Sequence, residues 1–253
     1  MRRWALPALL VAALVGAWQL AASTDALADA LNLEPFLVPS PAEIASALWE
    51  SRSLLAENAW VTLREILLGL GCAVLVGVAF AVVLHLSETL RLAFYPLLVT
   101  SQTIPTVALA PILILWLGFG IGPKLVVIAL ICFFPITVNT LDGLRGTDPD
   151  AVKMLRTLDA SRWQVFRRLE APTAAPSFFS GARIAFVFAP IGAVFGEWVA
   201  SDPRLGGLGA LIREDSAHLE TARMFASVFV LSALALALFG LIALAERRVV
   251  NWR

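Results

Sequence analysis

Charge, cysteine and histidine are all scarce in this chain: 15% of its 253 residues are Asp, Glu, Lys or Arg, and it has two cysteines and two histidines. Soluble domains carry about 25% charged residues. Cys72 and Cys132 both lie inside apolar runs, where a lone thiol packs as a small side chain, so neither a disulfide framework nor a Cys/His metal cluster is indicated. His85 and His218 fall in separate connections, and no H-E-x-x-H or G-x-S-x-G run occurs, which argues against a hydrolase. Gly118 to Lys124 has glycines before a lysine, but at the wrong spacing for a phosphate-binding loop and with no hydroxyl after the lysine. This chain therefore does not hold ATP in that way. Lys+Arg and Asp+Glu balance at 19 each, so net charge points to no nucleic acid, and the distribution of charge carries the message instead.

Apolar residues are abundant. They make up 59% of the chain, and the mean hydropathy is +0.83. A helix crossing roughly 30 Å of hydrocarbon needs about 20 apolar residues, and six such runs can be laid out. They are Trp4 to Ala22, Ala59 to Leu84, Phe94 to Leu117, Lys124 to Thr140, Phe178 to Ala200 and Arg223 to Leu244, the fourth being short. The fold class expected is an all-α integral membrane protein, one transmembrane domain over 1–253, with an outer (periplasmic) segment at 23–58 and a cytoplasmic loop at 142–176. Two cytoplasmic termini place Arg2, Arg3, Arg91, Arg145, Lys153, Arg156, Arg162, Arg167, Arg168, Arg247, Arg248 and Arg253 inside. Arg52, Lys124, Arg204 and Arg213 then lie outside, which satisfies the positive-inside rule. A rival reading makes the first run a secretory signal cleaved near Ala26-Leu27-Ala28.

The loop from Asp142 to Pro176 is the one long polar interruption that also holds periodic apolar residues. Ala151, Met154, Leu155 and Leu158 share one helical face, with Asp150, Lys153, Arg156 and Thr157 largely on the other. Asp159-Ala160-Ser161 breaks that helix. Ser161 is an N-cap for a second short helix carrying Trp163, Phe166 and Leu169, which Pro172 is expected to stop. Leu155, Leu158, Trp163 and Phe166 form an apolar anchor, rimmed by Arg156, Arg162, Arg167 and Arg168. In the outer segment, Pro39-Ser40-Pro41 introduces a further amphipathic helix through Ile44, Leu48 and Trp49.

Within the third run, Thr100-Ser101-Gln102-Thr103-Ile104-Pro105-Thr106 sets hydroxyls and an amide beside a proline. A helix broken there should face a cavity, since freed carbonyls in lipid need partners. Gln102, Thr103 and Pro105 are candidates for lining a route, with Asn139 in the fourth run beside them; interhelical packing is the other reading. Glu197 stands as the only acid well within an apolar run, a functional candidate whose place near the outer end also suits a solvated or Arg-paired role. Gly192 and Gly196 permit close helix approach, and Asp202 to Gly209 reads as a tight turn. A carrier driven by protons or ions should show several buried charges and internal duplication, and the sequence displays neither.

Several runs together resemble the transmembrane permease subunit of bacterial ABC importers, in the nitrate, sulfonate and taurine group. The signature of that family, E-A-A, a glycine, then I-x-L-P, is matched in spacing by Lys153-Met154-Leu155, Asp159 and Leu169-Glu170-Ala171-Pro172. Pro39-Ser40-Pro41, Leu109-Ala110-Pro111-Ile112-Leu113, Phe133-Phe134-Pro135-Ile136 with Asn139-Thr140, Gly207-Leu208-Gly209 and Glu246-Arg247-Arg248 extend the resemblance over nearly the whole chain. It departs where Lys153 replaces the acid and Asp159 the glycine. The resemblance implies a permease without cofactor or metal. Its partners would be a separate ATP-binding subunit, a periplasmic or lipid-anchored binding protein, a second permease copy as a homodimer, and membrane lipid. It implies further that Lys153, Leu155, Arg156, Leu158, Asp159, Ser161, Arg162, Trp163, Phe166 and Pro172 dock the ATPase. Phe119-Gly120 with Pro123-Lys124, Phe133-Phe134-Pro135-Ile136 and Gly196-Glu197-Trp198-Val199 look more like members handling pyrimidine vitamin precursors or riboflavin than the sulfonate members. A membrane scaffold that recruits a cytoplasmic factor without transport is the alternative.

Overall fold

A computed structural model describes residues 2–199 and 205–251, and all regular structure among them is helical. The turn residues Asp202, Pro203 and Arg204 lie outside the described residues, as do Ala200 at the end of the fifth run and Arg253. In chain order the helices are α1 (Arg2–Ser23), α2 (Ala26–Leu31), α3 (Pro41–Glu50), α4 (Arg52–Leu86), α5 (Glu88–Ser101) and α6 (Thr106–Leu117). They continue with α7 (Ile121–Arg145), α8 (Pro149–Thr157), α9 (Arg162–Val165), α10 (Ala171–Val199), α11 (Leu208–His218) and α12 (Thr221–Val249). Among the described residues, five helical stretches are long and apolar enough to cross a membrane, six if α5 and α6 are taken as one broken span.

The expected spans recur, with different ends. α4 begins at Arg52 and runs for 35 residues, and α7 runs for 25 residues to Arg145 rather than ending near Thr140. Backbone hydrogen bonding does not stop where side chains turn polar, so a helix continues past the apolar stretch into the headgroup zone. The third run is not one helix. It divides into α5 and α6, bent by 100° at residues 102–105. Pro105 lacks an N–H and disfavours helix at Ile104, which makes the break sharp.

The core is a three-helix block. α4 and α7 run parallel, with Glu65 beside Lys124, and with Gly69 facing Ile128 and Gly77 facing Ile136 and Thr137. α10 runs antiparallel to α7: Gly196 faces Lys124, Gly192 faces Ile128, Gly181 faces Pro135 and Asn139, and Gly143 faces Ala174 and Ser177. A Cβ at Gly181 would overlap the Pro135 carbonyl, so backbones approach where side chains vanish, the usual device for helices packing in lipid. Ile66, Leu70, Cys132, Ile136, Ala185 and Ala189 fill the space between, and Leu238 of α12 closes it. Cys132 is fully buried, its thiol directed at the Ala185 carbonyl, whereas Cys72 is exposed on α4.

α3 starts as the sequence suggests, Ser40 and Glu43 forming a reciprocal capping box with Pro41 at the first position. Its Ile44 packs with Leu55, Leu208, Leu211 and Ala226 across one end of the block. α1 touches chiefly α2 and α3, and Leu6, Leu9, Leu10 and Leu14 stay exposed.

Candidate functional site

The polar loop lies at the end of the block where α4 and α7 finish and α10 starts. Asp148 caps α8 by accepting from the Asp150 N–H, and Pro149 takes the first position. The helix ends in a Schellman arrangement: the Ala160 N–H reaches the Leu155 carbonyl, the Asp159 N–H reaches that of Arg156, and Asp159 sits at φ 55°. Glycine is the usual occupant of such a position, and the residue substituted there nonetheless adopts the left-handed conformation. Ser161 and Gln164 form a second capping box at α9. Trp163 stacks on Phe166 at 5.4 Å between centroids.

Met154, Leu158 and Trp163 are respectively 63%, 70% and 65% exposed on this polar loop, while Leu155 and Phe166 are half-buried. Large apolar side chains left open among Arg156, Arg162, Arg167 and Arg168 have the make-up of an interface centre with a polar rim. Lys153 pairs with Asp150 at 2.8 Å and is exposed. Pro172 does not stop the second helix. Phe166–Glu170 form a π-helical turn that leads directly into α10, and the widened turn accommodates a proline that has no N–H to give.

Gln102, Thr103 and Pro105 sit together at the exposed elbow between α5 and α6. The hydroxyls of Thr100, Ser101 and Thr103 donate to the carbonyls of Pro96, Leu98 and Thr100, so the break supplies its own partners. Asn139 is placed differently. It is half-buried on α7, where its amide donates to the Pro135 carbonyl at 2.8 Å beside Gly181.

Glu197 belongs to a buried cluster at the opposite end of the block. Its Oε1 accepts from the Thr62 hydroxyl at 2.6 Å, and its Oε2 accepts from the Gly209 N–H. The Thr62 oxygen in turn accepts from the Leu208 N–H at 2.8 Å, and Asn58 Oδ1 accepts from the Gly207 N–H at 2.7 Å. Three successive N–H groups at the start of α11 are thus satisfied by side chains of α4 and α10, and the helix dipole meets a carboxylate. This is the physical reason for the glycines: at Gly207, with φ 114°, and at Gly209 a Cβ would strike the Glu197 carboxylate. Beside it, Lys124 donates to Glu65 at 2.8 Å, both side chains being almost inaccessible.

Three expectations need correction here. Glu197 is not the only acid deep in an apolar run, because Glu65 in the second run is 2% exposed. Lys124 is not an open charge of the outer loop but is 1% exposed, held by Glu65. Buried charges are accordingly several, since Glu170 and Asp215 are buried as well, paired with His85 and Arg223. The sequence signal for Glu65 was present in Arg64-Glu65 interrupting an apolar stretch. The pairing of residues 65 and 124 had no local signal.

A family model described as binding-protein-dependent transport system inner membrane component matches residues 73–251. The chain is 39% identical over 221 residues to a formylaminopyrimidine transport permease protein of Halalkalibacterium halodurans, covering 87% of each. It is 37% identical over 219 residues to a riboflavin transport system permease protein of Chloroflexus aurantiacus, covering 86% of this chain and 81% of that one. With a taurine transport system permease protein of Escherichia coli the identity is 27% over 228 residues, covering 87% and 82%.

Proposed function

We propose that this chain, which belongs to the family of binding-protein-dependent transport inner membrane components and is the permease subunit of an ABC importer, is driven through its 142–176 loop by a separate ATP-binding subunit. The observation that carries this reading is the trio of exposed apolar side chains, Met154, Leu158 and Trp163, on a loop otherwise polar and firmly capped at both short helices. A rigid, capped knob suits insertion into a groove, and the surrounding arginines suit its rim. Leu155 and Phe166 support the knob from beneath, and Lys153, Asp159, Ser161, Arg162 and Pro172 shape it.

The loop then faces the cytoplasm with both termini, and residues 23–58 face the binding protein that delivers solute. Two copies of this chain enclose the path, towards which the α5–α6 elbow contributes Gln102, Thr103 and Pro105. Asn139 and Glu197 set the packing beside that path rather than its lining. The solute is a nitrogen heterocycle of the vitamin-precursor kind, pyrimidine or flavin, rather than a sulfonate. Support comes from the higher identity to permeases named for formylaminopyrimidine and riboflavin than to the one named for taurine.

The test is co-purification with the ATP-binding subunit encoded beside this chain. Trp163→Glu with Leu155→Glu is expected to abolish the complex while the permease stays in the membrane. An intact complex would refute docking through this loop. For the solute, thermal shift of the partner binding protein should respond to pyrimidines or flavins and not to sulfonates or nitrate.

A further inference from the structure

At the loop end of the block a cleft of about 440 Å³ opens between α8 and the ends of α4, α5 and α7. Arg91, Arg145, Lys153 and Arg156 line it, against the carboxylates of Glu88 and Glu170. Both carboxylates are engaged, Glu88 with Arg91, and Glu170 with His85 Nε2 at 2.9 Å. Lys153 is held by Asp150. Arg145 and Arg156 have no carboxylate within ion-pair distance among the described residues, and although the charge of Arg145 acts on Glu88 through space, the four cations of the cleft outnumber its two carboxylates. On the other side of Leu144, which walls both, lies an apolar recess of about 310 Å³ formed by Val78, Phe166, Ala174, Phe178 and Val249. Glu170 lines the basic cleft and the next residue, Ala171, lines the recess.

We propose that this paired cavity binds one anionic glycerophospholipid, its phosphate in the basic cleft and the head of an acyl chain along the apolar recess. Guanidinium forks match phosphate oxygens in pairs, and basic pockets at the depth where apolar helices give way to polar loops are where lipid headgroups lie. A soluble phosphate would leave the recess unused. A zwitterionic headgroup would bring an ammonium into a cleft already rich in cations. Met154, Leu158 and Trp163 line neither space, whereas Lys153, Arg156 and Phe166, which rim or support the knob, also border the lipid.

The full chain, purified in detergent, is mixed with phosphatidylglycerol or phosphatidylcholine, and retained lipid is counted by native mass spectrometry. Phosphatidylglycerol is expected to stay bound and phosphatidylcholine to wash away. Arg145→Gln with Arg156→Gln should lower retention roughly thirtyfold, given the attraction of each basic residue for an anionic headgroup. Arg145→Lys with Arg156→Lys, which keeps the charge but not the fork, should recover part of it and shows that a lost fold is not the cause. Arg247→Gln with Arg248→Gln, which removes the same charge at the same end outside the cleft, should leave retention unchanged. Equal losses from the two glutamine pairs would reduce the effect to general surface attraction and overturn the site. Equal retention of phosphatidylcholine, or full displacement of phosphatidylglycerol by millimolar inorganic phosphate, would overturn it as well.

Discussion

One hydroxyl, that of Thr62, joins three helices: it donates to Glu197 of α10 and accepts from the Leu208 N–H of α11. The groups around it are as closely fitted, and their removal is predictable. Gly207→Ala puts a Cβ into the Glu197 carboxylate from a positive-φ position, and should cost at least about 1–2 kcal/mol. Gly71→Ala, where added bulk meets open space, should be neutral or slightly stabilising, and thermal unfolding in detergent compares the two. Lys124→Met leaves the buried Glu65 carboxylate without its cation, and removing one partner of a buried pair costs roughly 3–5 kcal/mol. Adding Glu65→Leu to it should restore most of the loss, because Glu197 keeps its contacts with Thr62 and Gly209. A double variant no more stable than Lys124→Met would mean that the pair is not the source of the cost.

Helices were legible in proportion to how far a local pattern decides them. Ser161 caps as expected, and Ser40 caps too where only a Pro-Ser-Pro entry was read, because Gln164 and Glu43 stand three residues on, a reciprocal contact contained within four positions. The break after Ser101 was legible from Pro105 and its hydroxyls, but the 100° turn depends on how α6 packs against α7. Pro172 misled because a proline that ends an α-helix is tolerated after a π-helical turn, and nothing in the local composition distinguishes the two. The Asp159 turn is the element most open to improvement. Asp159→Gly removes the left-handed cost, and should raise stability by roughly 0.5–1 kcal/mol with docking retained. A lower unfolding midpoint would show that the carboxylate itself holds the turn.

Across the molecule, pairs such as Glu65 with Lys124 or His85 with Glu170 could not be found by scanning a single chain, since they are distant in sequence and join different helices. The proposed orientation is testable at this scale. With Cys72→Ser and Cys132→Ala as background, Met154→Cys should react with an impermeant thiol reagent only from the cytoplasmic side, and Trp49→Cys only from the other. Both sites are well exposed, so accessibility does not limit the result. Labelling from the reverse sides would invert the topology.

The glycine-to-backbone contacts along α4, α7 and α10 bear on how such a permease can move. Sliding one of these helices by a turn would drive side chains into the backbone where Gly69, Gly181 and Gly192 now leave room, so shear within the trio is sterically barred. The three must swing as a single leaf. The pivots of any rigid-body swing of this leaf then fall outside it, at the 102–105 elbow and at the lightly attached α1, where few packed atoms resist rotation.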